Sequence, residues 1–307
     1  MKIRNLSKKV VAVIMTCVLS MGMLVSGCGN KGEAKKIVIA YAPNESTDES
    51  ADAREGLAAD LAAELGVEVE EIQASDYNAI VEALRTGQAD MAYIGALAIA
   101  LASERADAEP IVMKAPEGDK EQAVYRSLLI TSSSNTDINS IADVKGKTIA
   151  FVDPESTSGN LFPSYEIIKA FPDENLTSDD LHTNGKFFEA ASFSGKHQAG
   201  LQAVIRGDVD VVPISDQIMK SEFENGNANE EDIKIIHESD PIPAEAFVVS
   251  KNMDEELKNQ LQQFLINYDN EAYFEKVIKV PGARFIETSL EDYRIVIDLN
   301  KTMNTEE

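Results

Sequence analysis

Three consecutive hydroxyls, Ser156-Thr157-Ser158, stand in the run Asp153-Pro154-Glu155-Ser156-Thr157-Ser158-Gly159-Asn160-Leu161-Phe162-Pro163. An apolar strand-like segment precedes them. After them Leu161, Phe162, Tyr165 and Ile168 recur at helical spacing. A helix start leaves backbone N–H groups without intrahelical partners, and its positive dipole end attracts anions. Gly159 would let the backbone approach a guest closely. One hydroxyl suffices to cap a helix, so three before a glycine read as a cradle of neutral donors for a small oxyanion. The chain carries 53 acidic against 28 basic residues, a formal charge of −25. It repels anions at long range, and convergent N–H and O–H groups must offset that repulsion at contact. Salt screens only the far field, within about 10 Å at 0.1 M.

His197 lies in Ser194-Gly195-Lys196-His197-Gln198-Ala199, at a second helix start. Spacing alone makes it an ordinary, partly exposed histidine on a polar turn; the alternative is a further donor to the same oxyanion. A hydrolase would combine Ser156 or Ser158 with His197 and Asp153 or Asp210, but no Gly-x-Ser-x-Gly elbow frames either serine. No enzymatic turnover is expected. With three His and two Cys, no metal site and no cofactor are expected. The acidic balance argues against nucleic acid as a partner.

The elements that position these groups alternate. Ile37–Tyr41, Val67–Ile72 and Met91–Ile94 read as strands, with helices over Ala51–Leu65, closed by Gly66, and Tyr77–Leu84, closed by Gly87. Such alternation predicts an α/β fold with a parallel sheet. An internal echo suggests two similar units: Leu84-Arg85-Thr86-Gly87-Gln88-Ala89-Asp90-Met91-Ala92 matches Val204-Ile205-Arg206-Gly207-Asp208-Val209-Asp210-Val211-Val212 in pattern. Lys36–Tyr41 and Lys147–Val152 likewise each precede a Pro-containing turn. The expected division is a first lobe over 37–126, a second over 127–245, and a return to the first over 246–307. Helices are expected over Asp254–Lys279 and Leu290–Leu299, and Phe187 and Phe188 are expected to pack between lobes.

The first residues differ from the rest. Lys2, Arg4, Lys8 and Lys9 precede an apolar stretch from Val10 to Val25, which reads as a secretory signal over 1–27. Its end, Leu24-Val25-Ser26-Gly27-Cys28, resembles the bacterial lipobox. That resemblance implies cleavage before Cys28, lipidation of Cys28, and a short tether over 28–36. Several lipid chains would hold a folded body at the outer face of the cell membrane. Cys17 would leave with the signal, so no internal disulfide is expected.

From about Lys36 onward the chain resembles the phosphonate-binding proteins of ABC importers. The resemblance rests on Asp153–Gly159 with Leu161-Phe162-Pro163, on Gly195-Lys196-His197, on Ala203–Asp210, and on Asp240-Pro241-Ile242-Pro243. It implies a type II periplasmic-binding-protein fold, two α/β lobes joined by two crossing strands, with the ligand in the cleft. It implies further that Ser156, Thr157, Ser158 and His197 contact phosphonate oxygens, that Tyr77 approaches from the first lobe, and that Tyr125 lines the pocket. Glu245 matches an acid that serves aminoalkyl ligands. A second such acid is replaced by Gln217, beside Asp216, which weakens the case for aminoalkylphosphonates. The implied partners are a phosphonate, phosphite or phosphate-like anion and ABC permease subunits. A sensory receptor for the same ligand is the alternative.

Overall fold

The computed structural model describes residues 36–45 and 47–305. Cys28, the signal and most of the tether lie outside them. In chain order the first elements are β1 (Lys36–Tyr41), α1 (Ala51–Leu65), β2 (Glu68–Gln73), α2 (Tyr77–Thr86), β3 (Met91–Ile94), α3 (Ala96–Ala106) and β4 (Glu109–Pro116). Next come β5 (Val124–Tyr125), β6 (Ser127–Ser132), β7 (Thr148–Phe151), α4 (Phe162–Ala170), α5 (Ser178–His182), β8 (Ala190–Phe193) and α6 (His197–Arg206). They are followed by β9 (Val212–Ser215), α7 (Asp216–Glu224), β10 (Ile233–Glu238) and β11 (Ile242–Pro243). The last group is β12 (Ala246–Val249), α8 (Glu255–Asn267), α9 (Glu271–Lys276), β13 (Ala283–Glu287) and α10 (Arg294–Thr305).

Short uncharged runs such as β3 and β12 are buried throughout and pair with each other at the centre of a six-stranded sheet. Its order is β13-β4-β12-β3-β1-β2. β1 runs parallel to β2 and β3, whereas β12 is antiparallel to both β3 and β4. The sheet is therefore mixed where a parallel one was expected, because β12 enters from the second half of the chain and not through a helical crossover. In the second half β6 pairs antiparallel with β9 and β10, and β7 pairs parallel with β8. A parallel bridge from Ile149 to Val211 joins the two groups. The spatial order β10-β6-β9-β7-β8 thus repeats β4-β12-β3-β1-β2. Between the halves β5 and β11 pair antiparallel, each leading directly into the strand that enters the other lobe. The result is a two-lobed α/β fold with two crossing strands.

The sequence echo has a physical content. Gly87 and Gly207 each close a helix in the left-handed conformation, with φ of 71° and 74°. Three residues later Asp90 accepts Val38 N–H at 2.8 Å, and Asp210 accepts Thr148 N–H at 2.8 Å. Each aspartate therefore ties the strand after its helix to the neighbouring parallel strand, β1 or β7. Asp210 also accepts the Thr148 hydroxyl at 2.8 Å.

Two other expectations change. The helix expected over Asp254–Lys279 breaks at Tyr268-Asp269-Asn270, where Tyr268 turns inward and Asn270 caps α9 by accepting Ala272 N–H at 3.1 Å. Phe187 and Phe188 belong to the second lobe's own core, with Phe151, Leu181 and Val211. Packing between lobes falls instead to Leu161 and Phe162, which join the first lobe's apolar cluster beside Leu97 and Val296.

Replacing Asp210 by Ala removes two charge-assisted hydrogen bonds and leaves Thr148 N–H unsatisfied. It should cost about 1–3 kcal/mol of unfolding free energy, and Asp90→Ala should cost a similar amount for the first lobe. Denaturant titration measures both.

Candidate functional site

One turn of π-helix, Thr157–Leu161, carries the hydroxyl cluster and runs into α4. Such turns recur at functional sites because they widen the backbone locally. Ser156 caps the turn: its Oγ accepts Gly159 N–H at 3.1 Å, and its C=O receives the N–H groups of Asn160 and Leu161. The Thr157 and Ser158 N–H groups precede the first acceptor in the helix. Thr157 Oγ1 accepts Leu97 N–H at 2.9 Å, from the start of α3 in the other lobe, so its own hydrogen is free to donate. Ser158 Oγ lies 3.4 Å from His197 Nε2.

Gly159 has a different role from the one expected. A Cβ there would lie 2.3 Å from Val152 Cβ and 2.7 Å from Ser156 Oγ, so the glycine lets the turn close on its own strand, not on a guest.

His197 is buried at the first position of α6, contrary to the exposed-turn reading. Ser215 N–H lies 3.3 Å from its Nδ1, its Nε2 faces Ser158, and the Pro213 carbonyl also meets the ring. Burial pulls its pKa down to about 3, so the ring is a neutral donor at ordinary pH. A nucleophilic triad is not assembled here, since Nδ1 faces an N–H instead of a carboxylate. Asp153 accepts Glu155 N–H, and Asp210 is held by Thr148.

The lobes meet around a cavity of about 20 Å³. All seven residues expected to bind, Ser156, Thr157, Ser158, His197, Tyr77, Tyr125 and Glu245, line it. Burial holds the Tyr77 and Tyr125 hydroxyls well above their ordinary pKa, so both stay protonated. The Tyr125 hydroxyl meets the side chains of Ser158 and Thr157. Glu245 is paired with buried Lys114, Oε2 to Nζ at 2.6 Å, and the same ammonium lies 5.9 Å from the centre of the Tyr125 ring. Gln217 and Asp216 do not line the cavity. Asp216 accepts Arg126 N–H at 3.1 Å and Gln217 N–H at 2.8 Å, tying α7 to the crossing strand.

Sequence reasoning missed Asn44, Glu45 and Gly95, along with Ala42 and Ile218, which also line the cavity. Asn44 bridges the lobes: its Oδ1 accepts His197 N–H at 3.2 Å, and its Nδ2 donates to the Tyr77 hydroxyl. Gly95 stands before α3, where a Cβ would lie 3.3 Å from Thr157 Oγ1. The internal echo held a signal for the first two, because the turn after β1 corresponds to the turn after β7 that carries the hydroxyls.

Two lobes closing neutral hydrogen-bond donors around one small cavity define a solute-binding receptor. The sequence profile of a family described as "ABC transporter, phosphonate, periplasmic substrate-binding protein" matches residues 39–293, and the chain belongs to that family. It is 27% identical to the phosphate-import protein PhnD of Mycolicibacterium smegmatis, covering 90% of this chain and 86% of that one. It is 25% identical to the phosphonates-binding periplasmic protein of Escherichia coli, covering 85% and 75%. In fold it resembles the binding component of a phosphonate ABC transporter from Pseudomonas aeruginosa, with a TM-score of 0.75 at 24% identity over 89% of this chain and 88% of that one. PhnD1 of Prochlorococcus marinus, solved with methylphosphonate, gives 0.74 at 20% identity over 88% and 98%. The protein is a ligand-capturing component of the ABC-importer type, and proteins of this kind work outside the cytoplasm.

Gly159→Ala should destabilise the protein by about 1–3 kcal/mol through overpacking against Val152, seen as a lower melting temperature. The unfolded chain protonates His197 near pH 6.5, whereas the folded ring resists until about pH 3. Folding stability should therefore fall as pH drops through this window. His197→Gln should lose less stability than the parent between pH 7 and pH 4 in denaturant unfolding.

Proposed function

We propose that this receptor captures a small phosphorus oxyanion, a phosphonate, phosphite or phosphate-like species, and delivers it to ABC permease subunits. The observation that carries this reading is the convergence of Thr157, Ser158, His197, Tyr77 and Tyr125, all neutral donors, on one cavity of about 20 Å³. A tetrahedral anion takes several bonds at once from such a cradle, and hydrogen bonds to a charged group contribute about 1.5–3 kcal/mol each. So small a space favours a compact guest over one with a long substituent. The names of the relatives from M. smegmatis and E. coli support the same ligand class.

Capture proceeds by rotation about the crossing strands β5 and β11, with ligand contacts from both lobes favouring the closed form. The lobes span 37–126 with 246–307, and 127–245. A lipid on Cys28 holds the body at the outer face of the cell membrane through the tether 28–36, after removal of the signal 1–27.

Titration calorimetry with methylphosphonate, phosphite, phosphate and 2-aminoethylphosphonate tests the reading. At a hundredfold excess over Kd the true ligand should add about 2.7 kcal/mol of stability. Silence with all four would reject it. Ser158→Ala and Thr157→Val should each weaken binding about ten- to hundredfold. The anchor has its own test: Cys28→Ser should move the protein from the membrane fraction to the soluble fraction.

A further inference from the structure

Opposite the hydroxyl cradle the cavity is lined by a carboxyl group that the reading so far leaves unused. Glu45 follows β1 and is buried, and its Oε2 has no hydrogen-bond partner among the described residues. Buried Arg54 of α1 holds the loop from beneath, donating to the Glu45 and Thr47 carbonyls at 2.7 and 3.2 Å, while its Nε is engaged by Glu71 at 3.2 Å. The backbone is therefore pinned, while the carboxyl meets its own backbone N–H and keeps Oε2 without a partner among the described residues. Lys114 already neutralises Glu245. A pure carboxylate is an acceptor only, and with an anion filling the cavity of about 20 Å³ it would face that guest's oxygens directly.

We infer that the pocket binds its oxyanion together with one proton shared between Glu45 and the guest, so that Glu45 is a specificity-determining residue that turns an acceptor wall into a donor. This rests on the oxyanion reading proposed above.

The groups facing Glu45 are consistent with that role. Glu245, between β11 and β12, disfavours its ionisation, while Lys279, after α9, and Lys114, on β4, favour it. Burial outweighs both lysines and lifts the Glu45 pKa to about 8. Tyr77, Tyr93 and Tyr125, on α2, β3 and β5, remain protonated well beyond that range, and His197, on α6, remains neutral. From the second lobe Asp153 faces Tyr77. A bound anion raises the Glu45 value further, so the complex keeps a proton that the free protein loses above pH 8.

Calorimetry with methylphosphonate and with phosphite, in paired buffers of different ionisation enthalpy between pH 6.5 and pH 9.5, reads this directly. Above pH 8 the parent protein should take up close to one proton per anion bound, and its affinity should fall about tenfold per pH unit. Glu45→Gln, whose amide donates without gaining a proton, should bind with affinity that changes less than about twofold from pH 8 to pH 9.5. The proton count on the parent protein stands even if the variant folds poorly. Binding with no proton uptake and a flat pH profile would overturn the inference while leaving the oxyanion reading intact. Much tighter binding of 2-aminoethylphosphonate than of methylphosphonate, again without uptake, would also overturn it, because Glu45 would then be an ionised partner for an ammonium. Failure of every anion to bind would instead remove the reading underneath.

Discussion

If the guest is an oxyanion, it is held here without a cation in direct contact. The chain is strongly acidic, and Lys114, whose ammonium lies over the Tyr125 ring, is bound to Glu245. The available attraction comes from oriented neutral dipoles. Three helices, α2, α3 and α6, begin at the cleft, and the N–H at or near the start of each reaches across it. Tyr77 N–H meets Asp153, Leu97 N–H meets Thr157, and His197 N–H meets Asn44. These bonds give each helix start a partner and place the positive dipole ends around one point.

The same arrangement couples shape to recognition. Thr157 Oγ1 accepts Leu97 N–H across the two lobes, so separating them would break this bond. His197 is fixed from both sides, with Ser215 and Pro213 meeting the ring and Asn44 holding the backbone. Closure therefore completes the donor set, and the guest in turn favours the closed form, because a hydroxyl aimed at an empty buried space is costly. Two unit charges of like sign 4 Å apart repel by about 4 kcal/mol at an effective dielectric of 20. A single proton at Glu45 would therefore outweigh several ordinary hydrogen bonds in deciding which guests stay.

Much of this was legible in the residues. The hydroxyl run could be read because it exceeds what capping requires, and the two-lobed plan because Gly-x-x-Asp occurs at the same point in both halves. Both are local patterns with a local cause. What could not be read depends on contacts distant in sequence. Buried His197 is tied through its N–H to Asn44, on a turn about 150 residues earlier that looks unremarkable in isolation. The antiparallel entry of β12 is set by the second crossing strand, and the break after α8 by the inward turn of Tyr268. Gly159 reads in the sequence as room for a guest, because the Val152 side chain that crowds it is invisible until the strand and the turn are brought together.

The position of β12 has a consequence for how the molecule is made. Residues Ala246–Val249 lie between β3 and β4, in the middle of the first sheet. Until they are synthesised, two strands laid down more than a hundred residues earlier have no partner between them, and that half stays open. Its assembly waits for the last fifth of the polypeptide to leave the ribosome.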